Sequence, residues 1–136
     1  MDRVFVDTDV ILDLLGERQP IYKGAAHLFS KADKGEIKLH VSSLSFANMH
    51  YVLRKKFSDK ETRKILSGFK VLVTVLPVTD KAIDLALASR FADFEDAIQY
   101  FTAIEHAIKI LITRNLKDYK HADIPVMTAD SYLKTL

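Results

Sequence analysis

Short runs of apolar, often β-branched residues alternate along the chain with longer segments in which apolar residues recur every three or four positions. The short runs predict strands over 3–6, 38–41, 73–78, 110–113 and 125–127. Two of them, Val4-Phe5-Val6 and Ile110-Leu111-Ile112, are apolar at successive positions. A strand needs that pattern when both faces of a parallel sheet are covered, so we expect layers on both sides of the sheet.

The longer segments have the period of amphipathic helices and predict helices over 21–34, 44–56, 59–69, 81–90 and 94–107. Ser58 followed by Glu61 has the spacing of a capping box, and Gly35 is placed to end a helix. Alternation of strands with helices indicates an α/β fold. We therefore predict a three-layer α/β/α sandwich around a mostly parallel five-stranded sheet, forming a single domain over 1–136.

Composition narrows the class of protein. The sequence contains no Cys, which excludes disulfides, thiolate metal sites and Cys nucleophiles. No apolar run approaches the ~20 residues of a membrane span. The first residues also lack the pattern of a signal peptide, because the charged Asp2 and Arg3 are followed by only a short apolar run. We therefore expect a cytoplasmic protein without membrane contact. The net charge of +2 argues against non-specific coating of nucleic acid but is compatible with a basic rim around a local site.

Polar residues collect where the predicted strands end. Asp7-Thr8-Asp9 follows the first strand, and Thr113-Arg114-Asn115 ends the fourth, with Asp118 shortly after. In open α/β sheets the ligand sites lie beyond the carboxyl ends of the strands. We therefore expect these two segments to share one edge of the sheet.

A third acidic segment opens the 94–107 helix. Asp93 and Asp96 are three positions apart, with Glu95 between them, so both can lie along one face of the first turn. Converging carboxylates repel one another unless a cation lies between them. Because all the donors are oxygens, a hard cation such as Mg²⁺ or Mn²⁺ fits better than Zn²⁺.

Each acid also has an ordinary structural interpretation. Asp7 can be a helix N-cap, the acids around Asp96 can complement a helix dipole, and Asp118 can be a turn residue. We interpret the remaining aspartates, among them Asp13, as caps or solvated surface groups, and the five His as surface or packing residues. The convergence of three separate segments on one edge favours the functional interpretation.

Three segments in this order resemble the PIN domain family, in particular the bacterial VapC-type toxin nucleases: VFVDTDV over 4–10, FEDA over 94–97 and ITRNLKDY over 112–119. The resemblance extends over nearly the whole chain. It implies a Mg²⁺- or Mn²⁺-dependent endoribonuclease that hydrolyses RNA phosphodiester bonds. It further implies the toxin of a toxin–antitoxin pair, with a homodimer and an antitoxin as partners.

The resemblance also implies the roles of individual residues. The acids that match the family's metal-binding and catalytic positions are Asp7, Asp96 and Asp118, with Asp93 as an assisting ligand. The polar residues that support the site are Thr8, Asn48, Thr113 and Asn115. The basic residues nearest to it, which would hold RNA, are Arg114 and Lys117. One or two cations held there would activate water and stabilise the charge on the phosphorus centre.

One departure from the family's pattern leaves two alternatives open. Family members usually carry a Glu in the helix after the second strand, where this chain has Asn48. The amide lacks charge, so either metal affinity is weakened or Asp93 or Glu95 compensates. A PIN fold that binds RNA or a protein without efficient catalysis is therefore the second hypothesis. A third, a haloacid-dehalogenase-like phosphatase with Asp7 as nucleophile and Asp9 as acid, lacks the paired acids that this class needs after a later strand.

Overall fold

The computed structural model describes residues 1–16 and 22–136. The strands of the described residues are β1 (Asp2–Val6), β2 (Ile37–Ser42), β3 (Thr74–Leu76), β4 (Leu111–Ile112) and β5 (Val126–Met127). They form one sheet in the order β3-β2-β1-β4-β5, and every neighbouring pair is parallel. The predicted five-stranded parallel sheet is confirmed, with β1 at its centre.

Helices connect the strands. Their bounds are α1 (Thr8–Leu15), α2 (Tyr22–Asp33), α3 (Ser43–Leu53), α4 (Asp59–Lys70), α5 (Asp80–Leu87), α6 (Phe94–Glu105) and α7 (Ala129–Leu133), and a 3₁₀ turn covers Leu116–Tyr119. The five predicted helices are present, although the predicted start of the 21–34 helix, Ile21, lies outside the described residues. The sequence pattern predicts neither α1, where Val10-Ile11-Leu12 is apolar at successive positions, nor α7, which has only five residues. No helix among the described residues has the length and apolar character to cross a membrane.

Several predicted elements extend too far. The predicted strand over 73–78 shortens to β3, because Pro77 has no N–H to donate and the N–H of Val78 donates to Ser43 Oγ (3.2 Å). The predicted helix over 94–107 ends at Glu105. Beyond it, Ala107 takes a left-handed conformation (φ 58°), which cannot continue the helix.

Alternate residues of the central strand face two hydrophobic cores. Val4 and Val6 are fully buried in one core, together with residues of α1, α2, α3 and α4. Phe5 is buried on the opposite face, where it belongs to a cluster with Tyr100 of α6 and Leu111 of β4. Both faces of the sheet are therefore covered, which confirms the α/β/α sandwich.

Predicted helix ends also have their expected geometry. Ser58 Oγ accepts from Glu61 N (3.1 Å), and Glu61 Oε1 accepts from Ser58 N (3.4 Å), completing the capping box at the start of α4. Gly35 follows α2 with φ 76°, a conformation that glycine adopts without steric cost. The α6 helix ends in a Schellman motif, because the N–H of Ile108 donates to Ala103 O (3.0 Å) while Ala107 N–H donates to Ile104 O (3.0 Å).

Candidate active site

A cavity of about 370 Å³ opens at the carboxyl ends of β1 and β4, beside the N-terminus of α6. It is lined by Asp7, Thr8, Asp9, Leu12, Asn48, Val52, Asp93, Glu95, Asp96, Asn115 and Asp118. The fold thus brings together all four acids that were expected to bind metal, from three segments far apart in sequence. Of the other expected site residues, Thr8, Asn48 and Asn115 line the cavity.

Asp7 lies at the inner wall of the cavity and is only 5% exposed. It is the N-cap of α1, since its Oδ1 accepts from Thr8 N (2.8 Å). Its Oδ2 accepts from Thr113 Oγ1 (3.0 Å) and from Tyr119 Oη (3.0 Å). Burial, followed by the nearby charge of Asp9, raises the pKa of Asp7 to about 7 despite these hydrogen bonds. The capping role and the site position therefore coexist in one side chain.

Asp96 faces Asp7 from the first turn of α6. Burial, and then the charges of Asp7, Asp93 and Asp118, raise the pKa of Asp96 to about 8. Asp93 is the N-cap of α6, because its Oδ1 accepts from Asp96 N (2.9 Å). Asp7 and Asp96 therefore both hold a proton more readily than an exposed aspartate does.

The hydroxyl of Tyr119 lies between two of these acids. Its Oη is 3.0 Å from Asp7 Oδ2 and 3.4 Å from Asp96 Oδ1, and the residue is 2% exposed. Burial, and then Asp7 and Asp96, hold the pKa of Tyr119 far above its usual range, so the hydroxyl remains a donor. Sequence reasoning gave Tyr119 no role. The only signal was its place beside Asp118 at the end of the third motif.

Asp9 is a second residue that sequence reasoning left without a role in the nuclease site. Its Oδ2 accepts from Arg114 N (3.3 Å) and Asn115 Nδ2 (3.2 Å), which tie the end of β4 to the start of α1. Its Oδ1 is buried without a hydrogen-bond partner among the described residues. Burial raises the pKa of Asp9. Its position two residues after Asp7, at the same strand end, was the available signal.

Comparison with known proteins decides the family. A family model described as PIN domain matches residues 3–117. The chain belongs to the PIN domain family. It is 31% identical over 139 residues to Ribonuclease VapC1 of Aquifex aeolicus, an alignment that covers 96% of this chain and 93% of that protein. The phosphatase hypothesis is thereby set aside in favour of the PIN fold.

Solved structures agree with this PIN domain in fold. FitAcB from Neisseria gonorrhoeae superposes with a TM-score of 0.70 at 15% identity, over 93% of this chain and 97% of that one. A toxin–antitoxin complex from Klebsiella pneumoniae gives a TM-score of 0.68 at 24% identity, with the same coverage of both chains. At these identities the likeness concerns the fold alone.

In this PIN domain, Asn48 of α3 is paired with an acid of α6. Asn48 Nδ2 donates to Glu95 Oε1 at 2.6 Å, at the rim of the cavity. Burial, followed by the charge of Asp93, raises the pKa of Glu95. A carboxylate therefore lies directly beside the Asn48 amide.

A buried polar network lies behind the cavity of the PIN domain. Gln99 Nε2 donates to Thr8 Oγ1 (3.0 Å) and to Ser45 Oγ (3.0 Å), and the two hydroxyls are 2.8 Å apart. Ser45 and Gln99 are fully buried and Thr8 is nearly so. These contacts join three helices of the site: α1, which Asp7 caps, α3, which contains Asn48, and α6, which contains Asp96. Neither Ser45 nor Gln99 was predicted, since each reads as an ordinary polar residue of a helix.

The remaining predicted residues lie outside the cavity lining. Thr113 is fully buried behind Asp7, to which it donates. Arg114 Nε is 2.8 Å from Asp13 Oδ2. Asp13 is 2% exposed, so its interpretation as a cap or solvated group is wrong: it faces inward on α1 and has the guanidinium as counter-charge. Lys117 is exposed on the 3₁₀ turn.

The donors of the PIN domain's cavity suit a hard cation. All of them are carboxylate, amide or hydroxyl oxygens, and burial, followed by the charges of neighbouring acids, raises the pKa values of Asp7 and Asp96, which a bound cation would lower again. The buried Asp9 Oδ1 adds an oxygen without a hydrogen-bond partner among the described residues. Within residues 1–16 and 22–136, no three His, Cys, Asp or Glu side chains are gathered closely enough to hold an ion as they stand. The carboxylates line the cavity without converging on one point.

Proposed function

We propose that this PIN domain is a metal-dependent endoribonuclease that hydrolyses RNA phosphodiester bonds with Mg²⁺ or Mn²⁺. The observation that carries the proposal is the cavity in which Asp7, Asp96 and Asp118 come together from distant segments. The relative from Aquifex aeolicus, named as a ribonuclease, supports the choice of RNA as substrate.

The proposed ligands of the cation are Asp7, Asp96 and Asp118, with Asp93 assisting. When bound, a divalent cation supplies Lewis-acid stabilisation of the negative charge that develops on the phosphate. Thr113 fixes the orientation of the Asp7 carboxylate through its 3.0 Å hydrogen bond. Asn115 does the same for Asp9 through Nδ2 (3.2 Å). We assign no covalent nucleophile, because the acids are required as ligands.

The RNA strand would approach the cavity past the end of β4. Lys117 is exposed there, and Arg114 is held by Asp13 with its side chain 37% exposed. Their positive charges would attract the phosphates that flank the scissile bond. Because the protein's net charge is only +2, RNA binding should depend on this local charge and weaken steeply with salt.

We further propose that the protein is the toxin of a toxin–antitoxin pair, acting in the cytoplasm as a homodimer that an antitoxin inhibits. The likeness to the Klebsiella pneumoniae toxin–antitoxin complex supports a protein partner. Co-purification with the product of a neighbouring gene, and the mass of the purified particle by light scattering, would test these two assignments.

A second function is favoured by one observation. Asn48 contributes no charge at the rim of the cavity, which would lower the affinity for a cation. A PIN domain weakened in this way would bind RNA or a protein partner without turnover. Metal binding without RNA cleavage is the outcome that would support it.

The decisive experiment is cleavage of a labelled single-stranded RNA by the purified protein with Mn²⁺ or Mg²⁺, and again with EDTA. Asp7→Asn and Asp96→Asn remove ligand charge. Asp33→Asn, an exposed acid at the end of α2, is the matched control, purified identically to reveal contaminating ribonuclease. We expect cleavage by the wild type and by Asp33→Asn only, and none with EDTA. Equal cleavage by the Asp7→Asn protein would refute the site assignment.

A further inference from the structure

The hydroxyl of Tyr119 is the shared contact of two proposed metal ligands. Among the described residues it is the only side-chain donor within hydrogen-bond distance of both Asp7 and Asp96, at 3.0 and 3.4 Å. These acids come from opposite sides of the site, one after β1 and the other on α6. A single hydroxyl therefore bridges the two segments that must cooperate to bind a cation.

Packing fixes the place of this hydroxyl. The Tyr119 ring belongs to the core around Phe5 and meets the ring of Phe91 edge-on, with centroids 5.9 Å apart and an interplanar angle of 84°. A close-packed aromatic side chain keeps one rotamer, so its oxygen cannot follow the carboxylates if they move. The carboxylates must instead orient themselves to the hydroxyl.

The hydroxyl lies behind the acids, away from the space where substrate would bind. Tyr119 does not line the cavity, whereas Asp7 and Asp96 do. Phe would fill the same hydrophobic space, since ring packing does not need the oxygen. The contact with the two carboxylates is the feature that Phe could not supply.

On the basis of the proposed function, we infer that Tyr119 is a positioning residue whose hydroxyl orients the Asp7 and Asp96 carboxylates for binding of the divalent cation. Its single hydrogen can be given to only one carboxylate at a time. Asp7 Oδ2 also accepts from Thr113 Oγ1. Asp7 Oδ2 therefore keeps a hydrogen-bond donor when the Tyr119 hydroxyl turns to Asp96. The bridge thus restrains both acids on the side away from the cavity. For the cation it leaves Asp96 Oδ2 and the remaining lone pair of Asp7 Oδ1, which also accepts from Thr8 N (2.8 Å).

Tyr100 offers a matched control. It lies in the same core cluster, is 4% exposed, and also packs against Phe91, at 5.1 Å between centroids. Its hydroxyl accepts from the backbone N–H of Asp123 (2.9 Å), away from the acids. Tyr119→Phe and Tyr100→Phe therefore each remove one buried hydroxyl and its hydrogen bond, and only the first alters the site.

The test measures Mn²⁺ binding by titration calorimetry for wild type, Tyr119→Phe and Tyr100→Phe, together with the electron paramagnetic resonance spectrum of the bound Mn²⁺. We expect about three- to tenfold weaker binding for Tyr119→Phe, the equivalent of one ordinary hydrogen bond, with a changed spectrum. Tyr100→Phe should keep the wild-type affinity and spectrum. Denaturant unfolding in EDTA should show similar losses of stability for the two variants.

Unchanged affinity and spectrum in Tyr119→Phe would overturn the inference and leave the proposed function standing. Equal loss of affinity in both variants would also overturn it, since the effect would then be one of general stability. Absence of Mn²⁺ binding by the wild type, with RNA cleavage absent as well, would overturn the proposed function and this inference with it.

Discussion

Asn48 Nδ2 lies 2.6 Å from Glu95 Oε1, so that α6 places a carboxylate beside the amide that α3 presents. In the family's pattern the helix after the second strand usually supplies this acid itself. The pair therefore keeps a negative charge at that side of the cavity, although it comes from a different helix. Of the two alternatives that Asn48 raised, this geometry favours compensation by Glu95.

Glu95→Gln tests this compensation. The Gln Oε1 can still accept from Asn48, so the hydrogen bond persists while the charge is lost. We expect Mn²⁺ affinity to fall about threefold to tenfold, because one carboxylate no longer attracts the cation. Calorimetric titration measures this. Glu36→Gln, an exposed acid before β2, is the control and should bind as the wild type does; wild-type affinity in Glu95→Gln would instead favour the weakened binding module.

Stability in EDTA should depend on pH through Asp7. Its pKa in the folded protein is about 7, above the value of ~3.9 in an unfolded chain. At pH values between these two pKa values, the folded state binds more protons than the unfolded state. The free energy of unfolding therefore falls as the pH rises through this window, and the loss is complete once the pH exceeds the folded pKa.

Asp7→Asn removes that titration. We expect the variant to be about 1 to 3 kcal/mol more stable than the wild type in EDTA at about pH 8, and nearly equal to it at about pH 3.5. Urea unfolding at both pH values measures the difference. Asp96 also has a raised pKa and contributes over the same range, so the decisive quantity is the difference between the two proteins. A difference that does not change with pH would show that Asp7 titrates at its ordinary pKa.

Gln99→Met tests the buried network behind the cavity. The substitution keeps the volume but removes the donor to Thr8 and Ser45, whose hydroxyls still bond to each other at 2.8 Å. We expect a net loss of about 1 kcal/mol in unfolding free energy, because the lost hydrogen bonds outweigh the gain from removing Gln99 Oε1, which is buried without a hydrogen-bond partner among the described residues. RNA cleavage should also fall, because Gln99 lies one turn beyond Asp96 on α6 and joins that helix to α1.

Thr102→Val is the control for Gln99→Met. Thr102 is fully buried on α6, and its hydroxyl has no hydrogen-bond partner among the described residues. Its removal should therefore leave cleavage unchanged and stability equal or slightly higher. Equal losses of cleavage in both variants would contradict a specific role of the network.

Ala107→Gly should stabilise the protein without touching the site. Ala107 ends the Schellman motif of α6 with φ 58°, a conformation that costs an Ala side chain energy and a Gly none. We expect a gain of about 0.5 to 1 kcal/mol in thermal or urea unfolding. Ala88→Gly, at the end of α5 with φ −86°, should lose a similar amount. Destabilisation by both substitutions would contradict the explanation from backbone conformation.

The sheet and most helices could be predicted because their evidence is local. The apolar run Val4-Phe5-Val6 predicts a strand covered on both faces, and the Ser58–Glu61 spacing predicts the start of a helix. The position of the acids followed from chain order, since parallel strands end at one edge. Helix α1 was not predicted because Val10-Ile11-Leu12 is apolar at successive positions and so shows no helical period.

Contacts that depend on packing across the chain could not be predicted. Tyr119 lies 112 positions from Asp7, and Gln99 lies 91 positions from Thr8. Their roles follow from how rings and helices pack, which no local pattern encodes. The pairing of buried Asp13 with Arg114 could not be predicted for the same reason. A charged residue on a short helix is expected to be exposed to solvent unless a residue of opposite charge lies beside it.

The order of the strands in the sheet has a consequence for folding during synthesis. Asp7 follows the first strand to be synthesised, yet the side chains that hold its carboxylate, Thr113 and Tyr119, follow it by 106 and 112 positions. The central strand therefore stays without its β4 neighbour until the segment over 111–112 has left the ribosome. The contacts that hold Asp7 therefore cannot all form before residue 119 has been synthesised, so a nascent chain that stops short of it should lack the proposed cleavage activity.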